Sequence, residues 1–165
     1  MGHHRIDKLD KKILQLISQD ARIPFLEVAR ECNVSGAAIH QRIQKLRNIG
    51  VIKGSEFIID TYKIGYQTCA YIGITITNAK LLDSVITELQ KIPEIVECHC
   101  TTGKYSLFIK MYAKDNKHLM QIILEKLTAI SGIAHTETFQ MSLDEAFRRQ
   151  LSVFDANASI YVDEE

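Results

Sequence analysis

The chain has 165 residues, 46% of them apolar and 24% charged, with eight Gly and two Pro. That composition belongs to a globular protein with room for two small cores, and excludes linker-like and low-complexity chains. Lys plus Arg and Asp plus Glu balance at twenty each, yet residues 1–60 hold ten bases against seven acids and residues 61–165 hold ten against thirteen. A basic half beside an acidic half fits a nucleic-acid-contacting head on a body that does not touch nucleic acid. No apolar run reaches the roughly 18–20 residues that span a bilayer. "MGHHRIDKLD" has no apolar signal core, and Ile6 stands where myristoylation requires Ser or Thr. The expected compartment is the cytoplasm, with no membrane partner.

In chain order, "LDKKILQLISQ" places Leu9, Ile13, Leu16 and Ile17 at helical spacing with lysines opposite. "DARIP" breaks that helix, and "PFLEVARE" predicts a second one burying Leu26 with Val28 or Ala29. "CNV" reads as a tight turn, and Ser35 as the N-cap of a third helix whose buried stripe is Ile39, Ile43 and Leu46. Gly50 ends that helix, and "VIKGSEFIID" predicts a two-stranded wing turning at Lys53-Gly54. Three short helices and a hairpin describe a winged helix-turn-helix.

The period then changes. "CAYIGITI" alternates over 69–76, "LLDSVITELQKI" is helical over 81–92, and "IVECHCTT" alternates over 95–102 with Val96, Cys98 and Cys100 inward. "SLFIKMYA" (106–113), the helical "HLMQIILEKLTAI" (118–130) and "IAHTETFQMSL" (133–143) complete a βαββαβ order. This is an α+β, ferredoxin-like sandwich with helices on one face of the sheet. The open face must be solvated or covered, which points to a dimer. The expected domains are a winged helix-turn-helix over 1–60, a linker over 61–68, the sandwich over 69–150 and a tail over 151–165. That tail reads as a further helix or an interface arm with a frayed acidic end.

These residues together resemble the Lrp/AsnC (feast/famine) family of transcription regulators. The likeness rests on Asp20-Ala21-Arg22, the Ser35-capped helix, Arg42, Ile43 and Leu46, Gly50-Val51-Ile52, and the turn Thr102-Gly103-Lys104-Tyr105. It covers the chain to about residue 150, and implies a dimer or octamer that binds double-stranded DNA. It also implies a small-molecule effector, usually an amino acid, held between C-terminal domains near residues Thr101, Thr102, Gly103, Lys104, Tyr105 and Ser106. Ser106 stands where the family turn usually carries Asp, so a ligand ammonium lacks that carboxylate.

A recognition helix puts its N-terminal residues at base edges in the major groove. Ser35, Gly36, Ala37 and Ala38 allow close approach, and His40, Gln41, Arg42, Gln44 and Lys45 supply readers. Gln pairs with adenine and Arg or Lys with guanine, while Arg47 and Lys53 are placed near phosphates. Four cysteines, Cys32, Cys69, Cys98 and Cys100, read as buried reduced thiols. "ECHC" has no second ligand pair at zinc spacing, so neither metal nor cofactor is expected. No nucleophile–base pair or phosphate loop appears, so the chain is not read as an enzyme. Two alternatives remain: a sirohaem-decarboxylase-like enzyme on the same fold, which needs cations gathered in the C-terminal cavity where this half is net acidic with scattered bases, and a metal- or redox-responsive regulator using Cys98, His99 and Cys100.

Overall fold

The computed structural model describes residues 3–141 and 160–163, which fall into two compact units. Residues 3–57 with 160–163 form the first and residues 58–141 the second.

The first unit contains β1 (His3–Ile6), α1 (Lys8–Gln19), α2 (Phe25–Cys32) and α3 (Gly36–Asn48). Asp7 starts α1 with a reciprocal capping box: its carboxylate accepts the Asp10 amide at 2.8 Å, and the Asp10 carboxylate accepts the Asp7 amide at 3.3 Å. Pro24 precedes α2, where its missing N–H costs nothing. Asn33 ends α2 in the left-handed region, with φ 56°, and lets the chain turn directly into α3. Ser35 Oγ then accepts the Ala38 amide at 3.2 Å and caps α3. Ile13, Val28, Ala29, Ile39 and Ile43 form the core that the three helices share.

Two expectations for this unit are corrected. Leu26 is exposed, with Val28 and Ala29 taking the core positions; it leans instead toward Gly36, where an added Cβ would meet Leu26 Cδ2 at 3.3 Å. The wing hairpin over 51–60 is absent, for residues 52–60 form no strand. The Ile52 amide donates to the Leu46 carbonyl at 3.1 Å and its side chain packs on the helical core. That leaves no arm before Lys53-Gly54 to pair with Phe57–Ile59, which are exposed. Sequence reading also missed β1, which pairs antiparallel with β6 (Ile160–Asp163) in the register His3↔Asp163 to Ile6↔Ile160. The rest of the expected C-terminal tail lies outside the described residues.

The second unit is a four-stranded antiparallel sheet in the order β3-β4-β2-β5. Its strands are β2 (Thr68–Ile76), β3 (Ile95–Cys100), β4 (Leu107–Ala113) and β5 (Ile133–Met141). Between them run α4 (Leu82–Leu89) and α5 (Asn116–Gln121), the latter continuing as a π-helical turn over Ile122–Leu127. Ala70, Ile72 and Ile74 of β2, and Leu107, Ile109 and Met111 of β4, meet Val85, Leu89, Leu119 and Leu127 from the helices. The core therefore sits over the two central strands. The third strand is an edge that the helices do not cover, so Val96, Cys98 and Cys100 are exposed rather than inward. The two thiols share a face with Ile109 and Leu107 in register but lie beyond the helix layer.

Candidate DNA-reading face and effector site

The third helix carries the candidate reading face. Ala37, His40, Gln41, Gln44, Arg47 and Asn48 are exposed, while Ile39, Ile43 and Leu46 are buried. Gln44 Nε2 donates to Asn48 Oδ1 at 2.9 Å, so an amide that sequence reading omitted joins this face. The His40 ring lies 5.9 Å from that of Phe25. Lys53 is exposed beyond the helix, and Ser35 is exposed at its cap.

Arg42 and Lys45 are placed differently from the other expected readers. The guanidinium of Arg42 donates to the carboxylates of Asp7 and, at 3.1 Å, Asp10; Lys45 Nζ donates to Asp10 at 3.1 Å and to the Arg5 carbonyl at 3.4 Å. Their side chains are 33% and 35% exposed, and that of Asp10 is 0% exposed. Burial pushes the Asp7 carboxyl up, but the Asp10 amide and Arg42 outweigh it and hold it below the usual range. Hydrogen bonding to Asp7 in turn raises Arg42. The signal for this network was already in the sequence as a D-x-x-D cap, Asp7 to Asp10.

In the second unit the turn after β3 gathers three side chains, Lys104, Tyr105 and Glu137, around Gly73. Gly73 of β2 lies opposite Glu137 of β5, and the Tyr105 ring lies flat over Gly73. A Cβ at residue 73 would sit 2.5 Å from Tyr105 Cγ. The notch left by the missing side chain thus seats the tyrosine. From there Tyr105 Oη donates to Glu137 Oε2 at 2.6 Å, and Lys104 Nζ donates to the same oxygen at 2.6 Å. Bonding to Lys104 and Tyr105 draws the Glu137 carboxyl down, and bonding to Glu137 draws the Lys104 ammonium up.

Thr101 Oγ1 donates to the Tyr105 carbonyl and closes the turn. Thr102 and Gly103 are exposed, with open space where a Gly103 side chain would point. Ser106 is engaged with the sheet instead: its amide donates to the Ile74 carbonyl at 2.8 Å, and its Oγ accepts the Ile76 amide at 3.4 Å. Glu137 was not among the expected site residues. Only the pairing register of β2 with β5 brings it to the turn, 32 residues away in sequence.

Tyr105 also belongs to an aromatic cluster on the sheet face opposite the helices. Tyr71 stacks on Phe108 with centroids 5.8 Å apart, and Phe139 lies 6.2 Å from Phe108 and 6.3 Å from Tyr105. Lys110 flanks it, 5.6 Å from the Tyr71 ring. Among the described residues no group of three or more His, Cys, Asp or Glu stands close enough to hold a metal ion, and no helix is long and apolar enough to cross a membrane.

Comparison with known proteins places these features. The model of the AsnC-type helix-turn-helix domain matches residues 6–47, and that of the Lrp/AsnC ligand binding domain matches residues 69–150. The regulatory protein AsnC of Haemophilus influenzae is 42% identical over 135 residues, spanning 82% of this chain and 90% of its own. The chain belongs to the Lrp/AsnC family of transcription regulators. The solved structure of Escherichia coli AsnC superposes with a TM-score of 0.83 at 32% identity, covering 90% of this chain and 99% of that one. A Neisseria meningitidis transcriptional regulator solved with L-methionine shares the fold, with a TM-score of 0.80 at 19% identity over 87% of this chain and 93% of its own. In this Lrp/AsnC chain the helix-turn-helix model ends inside α3, and the ligand-binding model contains the whole Tyr105–Glu137 constellation.

Proposed function

We propose that this Lrp/AsnC regulator reads a specific DNA sequence with the outward face of α3 and responds to an amino acid bound at the turn after β3. The observation that carries the reading is the α3 surface: a Ser35-capped start, small residues in the first turn, then exposed His40, Gln41 and Gln44 with no acidic side chain from Gly36 to Asn48. Gln side chains pair bidentately with adenine and Ala touches thymine methyls, while Arg47 and Lys53 suit phosphates. The effector arm draws support from the methionine-bound relative of the same fold. Here Lys104 suits a ligand carboxylate, and Glu137 offers the carboxylate for a ligand ammonium that Ser106 lacks. The protein acts by shifting binding equilibria in the cytoplasm rather than by covalent chemistry. The aromatic sheet face is the seam of a homodimer, so that two α3 helices reach two half-sites.

Selection of retained sites from a random duplex pool tests this, repeated with each amino acid present in turn. The expected result is one enriched palindromic motif, lost by Gln41→Ala with Gln44→Ala and shifted in affinity by at least one amino acid. Weak, salt-sensitive binding without a motif would refute α3 as a reader. A motif indifferent to every amino acid, and to Glu137→Gln, would refute the effector site.

A further inference from the structure

We infer that Asp10 is the positioning residue of the reading helix: it locks Arg42 and Lys45 against the start of α1, so these cations set the pose of α3 and read no bases. The inference rests on α3 being the DNA reader.

At about 100° per residue, Arg42 points roughly 140° away from Ala37 around the helix and Lys45 roughly 80° away. Gln41 and Gln44 stay within about 40° of Ala37 on either side. The two cations therefore occupy the flank toward α1 while the amides occupy the outward face.

On that flank Asp10 is fully enclosed, and each of its oxygens is taken. Oδ1 accepts Arg42 Nη1 at 3.1 Å, and Oδ2 accepts Lys45 Nζ at 3.1 Å and the Asp7 amide at 3.3 Å. Asp7 holds Arg42 from a second side, and the Arg5 carbonyl accepts from Lys45 at 3.4 Å. Two carboxylates thus neutralise two cations, leaving little net charge to draw a phosphate. Pulling either cation toward DNA would take from the buried Asp10 carboxylate one of its two charged partners, which costs more than breaking an exposed pair.

The apolar contacts of Ile13 with Ile39 and Ile43 hold α3 on the core, but apolar contact is non-directional. The network adds direction. Two donors one turn apart on α3 converge on one carboxylate of α1 and fix the rotation of α3 about its own axis. That rotation decides whether Gln41 and Gln44 meet base edges.

The test uses the full-length chain, the duplex enriched from the random pool and a scrambled duplex, with affinities taken by fluorescence anisotropy over a range of KCl. Asp10→Asn and Arg42→Gln are each expected to lower the ratio of specific to scrambled affinity by about tenfold, the order of one lost base contact. The double variant should lose no more than the worse single one, because both break one device. The slope of log affinity on log salt should stay at the wild-type value, and Arg42→Gln should enrich the wild-type motif.

A slope about one smaller in Arg42→Gln would make Arg42 a phosphate contact and overturn the inference. Relaxed choice at one base position would make it a base reader, with the same consequence. An unchanged ratio in variants that circular dichroism shows to be folded would reduce the network to a stabilising one. Should Asp10→Asn melt below the assay temperature, Arg42→Lys carries the test, since the shorter side chain keeps the charge but lacks the planar guanidinium that sets Nη1 between the two carboxylates. If the wild-type chain enriches no motif, DNA reading by α3 fails and this inference falls with it. If wild type and variants enrich and discriminate alike, only this inference fails.

Discussion

Gly73 is the residue on which the turn after β3 depends, because the Tyr105 ring occupies the place of its side chain. The blocked atoms are the root of the ring, Cγ and both Cδ, so a small rotation at its far end cannot make room. Gly73→Ala must push Tyr105 off the sheet and break its 2.6 Å bond to Glu137. Overpacking of this kind costs about 1–3 kcal/mol, which denaturant unfolding would register. In a Tyr105→Ala background the three atoms that crowd the added methyl group are gone, so Gly73→Ala should become nearly neutral. Equal losses in both backgrounds would show that the notch does not seat the tyrosine. This site was half legible in the sequence. The turn Thr102 to Tyr105 stands out as a string, and a glycine inside an alternating strand signals close approach. Glu137 carried no such mark, because cross-strand neighbours depend on register, and register is a property of the folded sheet.

The start of α1 joins three elements: β1 runs into the Asp7 cap, and Arg42 of α3 closes on it. Its acid response follows from Asp7. The folded carboxyl titrates below its unfolded value, so its contribution is complete above the ordinary carboxylate pKa of about 4 and disappears as pH falls through the lowered value. Asp7→Asn should therefore destabilise the first unit at pH 7 and flatten the part of its stability curve that falls between pH 4 and lower values. Curves that stay parallel through that range would remove Asp7 from the acid response. Elements of this unit were legible where local chemistry writes them: the Ser35 cap, the break at Pro24, and the stripe of Ile39, Ile43 and Leu46. The wing was misread because two short apolar runs either side of Lys53-Gly54 satisfy a hairpin pattern, while the anchoring of Ile52 on the helices is a tertiary fact. The pair β1 and β6 was invisible for the same reason that Glu137 was, since its two halves stand at opposite ends of the chain. Inward thiols on β3 were expected from alternation alone, which cannot tell a central strand from an edge.

The second unit as a whole is a sheet with one covered face and one bare face, and that asymmetry sets the last prediction. On the covered face Ile72, Ile74, Leu107 and Ile109 are fully enclosed by the helices. On the bare face the central strands present Tyr71, Phe108 and Lys110, with Phe139 beside them and 40% exposed. Aromatic pairs at such spacings are worth about 0.5–1.5 kcal/mol beyond the area they bury, but a cluster still open to water has not realised its burial. A second copy of the same face would complete it by a two-fold axis, each ring meeting the other copy's cluster. Phe139→Asp puts a charge into that seam while leaving the covered core untouched, since Phe139 contributes nothing to it. Light scattering after size exclusion should then report one chain where the wild type reports two. The folded β-sheet signal should be unchanged, because the side chain removed is already partly in water. A variant that stays dimeric would move the seam elsewhere, and one that unfolds would show that the aromatic face supports its own sheet instead of a partner.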